Sequence, residues 1–75
     1  MIHKVLIANR GEIAIRISYT RREMGIQTVS VFTEPDRHAL HVRHADDSHE
    51  ISSYLEAEEI VRAAKESGAD AIQRC

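Results

Sequence analysis

His38, His41 and His44 stand three residues apart in the run HALHVRH, with Asp46, Asp47 and His49 just downstream. Residues three apart on a helix are neighbours, so two of these imidazoles, His38 and His41 first among them, could share a divalent ion such as zinc. Two successive steps of three wind around a helix by about 120°, so a three-histidine site on one regular helix is strained. Solvated surface histidines beside a turn are the competing reading. A second segment with chemical potential is Asn9-Arg10-Gly11-Glu12, which follows a short apolar run and precedes a helical pattern. Strand, glycine turn and helix in that order make Asn9, Arg10 and Gly11 rim candidates for a nucleotide or phosphate. Only one of the three fingerprint glycines is present, and Glu12 would repel a pyrophosphate. A tight strand-to-helix turn at Gly11, with Glu12 complementing the positive end of the helix dipole, accounts for the same residues. The sequence has no Ser/His/Asp triad, Cys/His pair or CxxC, and its carboxylates have no recognisable catalytic spacing.

These residues need a frame, and the hydrophobic pattern predicts one. Lys4 to Ala8 is continuous in Val, Leu and Ile, as in a strand buried on both faces of a parallel sheet. Glu12 to Met24 is helical in period, with Ile13, Ile17 and Met24 expected to face the core and Gly25 just past the end. Gln27 to Thr33 predicts a second strand with Val29 and Val31 on one side and Thr28, Ser30 and Phe32 on the other. Glu34-Pro35-Asp36 then turns the chain. Asp36 is placed to cap a short helix to about Ala45 that carries Leu40 and Val42 inward. Ser48 to Ile51 is a weak, polar third strand. Ser53 and Glu56 have capping-box spacing for a helix to about Ser67, with an apolar stripe of Tyr54, Ala57, Ile60, Val61 and Ala64. Ala69 to Ile72 begins a fourth strand. The whole reads as α/β: a small open parallel sheet of βαβ(α)βαβ order, Rossmann-like, with right-handed crossovers and a functional rim beyond the carboxyl ends of its strands.

The outer side of the first helix collects Ile15 and Tyr19, flanked by Arg16, Arg22 and Glu23. Two apolar residues four apart inside a ring of mixed charge suit a partner surface, and Arg16 and Glu23 lie about two turns apart. A two-fold axis between two copies could therefore exchange them into reciprocal pairs. An ordinary wet helix surface is the alternative.

Composition narrows the classes. Ten Lys/Arg against twelve Asp/Glu leave a net charge of −2, without the clustered cationic excess that nucleic-acid or anionic-membrane binding requires. The longest apolar run, Val5 to Ala8, is far below the ~20 residues of a membrane span, and Asn9-Arg10 follow too soon for a secretory signal. One cysteine, Cys75, allows no internal disulfide. A core drawn from 43% apolar residues in 75 predicts a marginally stable, association-prone monomer or dimer.

Taken together, KVLIANRGEIAIRI, TVSVFTEPDR, LHVRHAD, and SYL followed by a helix ending in SGADAI resemble the N-terminal domain of biotin carboxylases. This is the component shared by acetyl-, propionyl- and methylcrotonyl-CoA carboxylases, pyruvate carboxylase and urea carboxylase. The likeness runs from Lys4 to Ile72, with Ile7 to Ala14 its most specific stretch. The resemblance implies an ATP-grasp ligase that uses MgATP to activate bicarbonate and carboxylate biotin on a carrier domain. It implies a first domain packed against the ATP-grasp core, with the first helix in a homodimer contact, in agreement with the reading of Ile15, Arg16, Tyr19 and Glu23. Two departures stand out. The Gly-Pro-Ala-Pro-like connection usual in the family is missing between Ile51 and Ser52, so the third strand is expected to run straight into the next helix or lose its end. The family also continues from the fourth strand into a His-Pro-Gly-Tyr-Gly loop, where this sequence reads Gln73-Arg74-Cys75. The ATP-binding lysines, metal-binding acids, catalytic base and biotin-binding arginine of the family belong to parts outside these residues. Residues 1–75 are thus expected to be an incomplete biotin carboxylase-like N-terminal domain, inactive alone, whose partner is the remainder of a carboxylase. The alternative is a non-catalytic dimerisation module that associates with a full-length carboxylase. Its expected setting is bacterial cytosol or mitochondrial matrix.

Overall fold

Val5, Leu6 and Ile7 have no polar side and are each almost completely buried, so the strand that carries them, β1 (Lys4–Ile7), has to be covered on both faces. In the computed structural model, which describes residues 1–74, it is. β2 (Gln27–Phe32) runs parallel beside it, with Lys4 opposite Gln27 and Ile7 opposite Ser30. β3 (Asp47–Glu50) extends the sheet beyond β2, and β4 (Ala71–Gln73) beyond β1, giving the all-parallel order β3-β2-β1-β4. The helices are α1 (Gly11–Glu23), α2 (Leu40–Arg43) and α3 (Ala57–Ser67). This is the small open parallel sheet predicted from the sequence.

Strand alternation divides the core into two clusters. Leu6, Ala8, Val29 and Val31 meet Ile60, Ala63 and Ala64 of α3, with Ile51 completing that side. Val5 and Ile7 point the other way onto Ala14, with Ile17, Ile26 and Ala71 at the margin. Full burial of each large aliphatic side chain contributes about 1.5–3 kcal/mol. Beyond β3 the connection is short, yet the strand keeps its end: Ile51 is buried and its N–H reaches the Phe32 carbonyl at 2.8 Å. At the amino ends of the strands, the Asp70 carboxylate accepts the N–H groups of His3 (2.8 Å) and Lys4 (3.0 Å), which clasps the start of β4 to β1 and holds the Asp70 pKa below its usual range.

The rotation of α1 departs from the periodicity argument. Ala14 and Ser18 face inward, Ile17 is half-buried, and Ile13 and Met24 are 51% and 61% exposed. The reason lies in β2, whose α1-facing side is polar. Thr28 and Ser30 are buried there, and buried hydroxyls need partners. Ser18 Oγ lies 3.3 Å from Thr28 Oγ1, and Asp46 Oδ2 accepts both the Thr28 N–H (2.8 Å) and its hydroxyl (3.3 Å). An isoleucine turned into that position would replace the one hydroxyl that α1 brings to Thr28 with an apolar group. The end of α1 is as expected: Gly25 has φ +78°, and the N–H groups of Gly25 and Ile26 return to the carbonyls of Arg22 and Arg21 at 3.0 Å.

Two other elements start late. Asp36 does not cap a continuous helix; Glu34–Asp36 form a separate 3-10 turn, and α2 begins only at Leu40. On α2 it is His41 that is buried, while Leu40 is 57% exposed and Val42 half-buried. The capping box at Ser53 does not form: Ser53 Oγ accepts the Leu55 N–H instead, and Glu59 reaches back to the N–H and hydroxyl of Ser52. That leaves α3 to start at Ala57 and to bury Ile60, Ala63 and Ala64, with Ala57 and Val61 outside. Because Leu6 is fully buried under α3, Leu6→Ala is expected to cost about 3 kcal/mol. Urea unfolding followed by far-UV circular dichroism measures this; a loss under about 1 kcal/mol would contradict the packing described.

Candidate functional site

Parallel strands end on one side, so the segments leaving β1, β2, β3 and β4 share a rim, and the side chains there tie those segments together. Arg10, just before α1, places a guanidinium nitrogen 2.7 Å from Asp36 Oδ2 in the segment after β2. Asp36 Oδ2 is buried and its contact with Arg10 is ionic rather than an aligned hydrogen bond. Arg37 spans Glu34 and Glu50 at 2.6 Å each, with its guanidinium 5.6 Å from the centre of the Phe32 ring. Its hydrogen bond and charge hold the Glu34 pKa below the usual carboxylate range. Arg74, after β4, donates to the Tyr54 carbonyl at 3.3 Å.

His41 occupies the centre of this rim and is 3% exposed. The Gly11 N–H approaches its Nδ1 at 3.4 Å, its Nε2 lies 3.3 Å from the Tyr54 hydroxyl, and that hydroxyl donates to the Val31 carbonyl at 2.8 Å. The phenol has one proton, and Val31 receives it. Tyr54 Oη therefore accepts from Nε2–H, Nδ1 carries the lone pair that Gly11 uses, and the imidazole is the neutral Nε2–H tautomer. Burial agrees with this: it pushes the His41 pKa down, against opposing pulls from the Val31 carbonyl and Asp36, and pushes the Tyr54 phenol up.

The residues singled out in the sequence are placed unevenly. Asn9 is half-buried, and Arg10 and Gly11 are exposed. Gly11 has φ +69° with open space where a Cβ would stand, so its backbone conformation, rather than close approach of another group, requires glycine. His38 is exposed on the turn before α2, so His38 and His41 do not share one helix, and both nitrogens of His41 have partners. Asp46 is engaged by Thr28, while Asp47 and His49 lie on β3. Among the described residues no group of three or more His, Cys, Asp or Glu is arranged to hold a metal ion. Of the rim candidates, Arg10 is paired with Asp36 and the Gly11 N–H approaches His41. On α1, Arg16, Tyr19 and Glu23 are exposed and Ile15 is half-buried; the Tyr19 ring sits 5.4 Å from the His44 ring.

The parts that Tyr54 and His41 play in the rim lie outside the sequence expectations for it. Tyr54 was expected in an apolar stripe, yet its hydroxyl is what ties α2 to β2; a tyrosine in an apolar stripe is itself a signal, because its buried hydroxyl must find a partner. The burial of His41 had no such signal, since Leu40 beside it is the stronger candidate for the core.

The biotin carboxylase N-terminal domain model matches residues 1–74. The chain is 51% identical over 77 residues to the mitochondrial methylcrotonoyl-CoA carboxylase subunit alpha of Rattus norvegicus, covering 95% of this chain and 11% of that protein. It is 53% identical over 78 residues to biotin carboxylase 1 of Bacillus subtilis, covering 96% of this chain and 17% of the relative. The structure superposes on Kluyveromyces lactis urea carboxylase with a TM-score of 0.95 at 44% identity, covering 97% of this chain and 7% of the other. The biotin carboxylase domain dimer of Hydrogenobacter thermophilus 2-oxoglutarate carboxylase, in complex with MgADP, ADP and bicarbonate, gives a TM-score of 0.90 at 48% identity over 96% of this chain and 17% of that one. The chain thus spans less than a fifth of the length of these relatives. With a family match over residues 1–74 and relatives 51% and 53% identical over at least 95% of it, this chain belongs to the biotin carboxylase N-terminal domain family.

Proposed function

We propose that this chain is the opening structural domain of an ATP-dependent biotin carboxylase and has no carboxylation activity alone. The observation that carries this is how its rim is used: Arg10, Asp36, His41 and Tyr54 hold strand-end segments to one another. In that role the domain presents a stiff wall, and MgATP, bicarbonate and carrier-bound biotin are handled by the remainder of the carboxylase. Its setting is cytosolic or mitochondrial, the latter by analogy with the rat relative; among the described residues no helix is long and apolar enough to cross a membrane.

A second reading rests on α1. Tyr19 is half exposed with Arg16 and Glu23 exposed beside it, and the H. thermophilus relative is a domain dimer. In this reading the chain pairs through Ile15, Arg16, Tyr19 and Glu23 with a second copy or with an intact carboxylase chain.

The purified chain is expected to show no bicarbonate- and biotin-dependent ATP hydrolysis above background; turnover in a coupled assay would overturn the inactive-wall reading. When co-expressed with an intact biotin carboxylase, the chain is expected to co-purify with it if α1 is an interface, and Tyr19→Glu to abolish that recovery. Unchanged recovery of the variant would remove α1 from the contact. For the rim, a double-mutant cycle of Arg10→Ala and Asp36→Ala should give a coupling of about 0.5–1 kcal/mol, the range for a partly exposed ion pair. Zero coupling would mean that the pair does not join the two segments.

A further inference from the structure

The first N–H groups of a helix have no partner inside it, and they are usually met by an N-cap side chain. On α1 the N-cap residue Arg10 makes no such bond. The N–H of Gly11, the first helical residue and one that an N-cap side chain does not ordinarily reach, is met by His41 Nδ1, thirty residues further along the chain and on another helix. We propose that His41 is a proton-controlled cap: neutral, it fastens the Asn9–Gly11 turn to α2; protonated, it releases that turn and loosens the rim.

Three features of the geometry make the release follow from protonation. A proton can be added to the imidazole only at Nδ1, because Nε2 already carries the one shared with Tyr54. The new N–H then faces the N–H of Gly11, donor against donor. The imidazolium also sits at the positive end of a 13-residue helix, where a cation is unfavourable. The other ionisable groups acting on it are Asp36, Arg10 and Tyr54. Asp36 favours the charged form, but it is ion-paired with Arg10, whose own charge disfavours it. The Nε2–H to Tyr54 bond survives in both states, so the change is confined to the Gly11 side.

The sign is fixed by linkage. Since the capped state holds the imidazole below its ordinary pKa, the released state binds more protons. The cap is therefore fully effective above about pH 6.5 and is lost progressively as pH falls below it.

The test uses the full chain labelled with 15N. Long-range 1H–15N spectra should show the Nε2–H tautomer at pH ~7.5, above the ordinary His pKa. Gly11 amide exchange, corrected for intrinsic rate, should rise by up to about tenfold per pH unit on acidification. His41→Asn, which keeps a side-chain acceptor near the Nδ1 position and cannot titrate, should hold the Gly11 amide without that pH response. Finding the Nδ1–H tautomer, a Gly11 amide that ignores the titration of His41, or an undiminished pH response in His41→Asn would each overturn the proposal. The first two are read on the unmodified chain, and none of the readouts depends on carboxylase activity.

Discussion

The constraint on which the rest of the structure depends is that β1 has no face fit for water. A strand with Val5, Leu6 and Ile7 in succession has to be interior to a sheet and roofed on both sides, and a parallel arrangement with helical crossovers provides that. From this one requirement follow the central place of β1 in the order β3-β2-β1-β4, the split of the core into two clusters, and the gathering of every strand's carboxyl end on one side. The rim is thus a by-product of how β1 is buried.

The two faces of the sheet solve different problems. Against α3 the contacts are apolar throughout, and Ile60, Ala63 and Ala64 close on Leu6, Val29 and Val31. Against α1 the middle of the layer is polar, with Ser18, Thr28 and Asp46 satisfying one another. Such a layer contributes less per area than aliphatic packing, but it favours the helix rotation that brings the Ser18 hydroxyl to Thr28, because an apolar side chain in that place would face a buried hydroxyl. That rotation leaves Ile13, Tyr19 and Met24 on the outside. The apolar surface of α1 is therefore set by the polar side of β2, two elements becoming one question of hydrogen bonding.

The order of elements along the chain and the fold class were legible in the sequence because they depend on runs and periods. β1 and β2 lie within one residue of their predicted bounds, and the family likeness spans the same residues that form the sheet. What was not legible depends on partners distant in the chain. Periodicity weighs Ile13 above Ala14, and nothing local reveals that Ser18 meets Thr28. Capping rules assign Asp36 to the helix that follows it, whereas in space a guanidinium from the opposite loop lies 2.7 Å away. Ser53 and Glu56 have the spacing of a capping box, but Glu59 engages Ser52 one turn later and moves the helix start with it.

His41 brings these lines together. Hydrophobicity favours Leu40 for the inward position on α2, and a helix one residue differently rotated would bury it. The imidazole wins because the place it occupies is not simply apolar: the Tyr54 hydroxyl, bound to the end of β2, offers an acceptor, and the start of α1 offers the Gly11 N–H. A leucine there would fill the volume but leave the Gly11 N–H and the acceptor side of the Tyr54 hydroxyl without this partner, while Val31 keeps the phenol's proton. Only a side chain that donates at one end and accepts at the other spans the gap, which neutral histidine does and its protonated form does not. The same chemistry that selects histidine for this position thus makes the rim sensitive to protons, so structural economy and pH response have one origin.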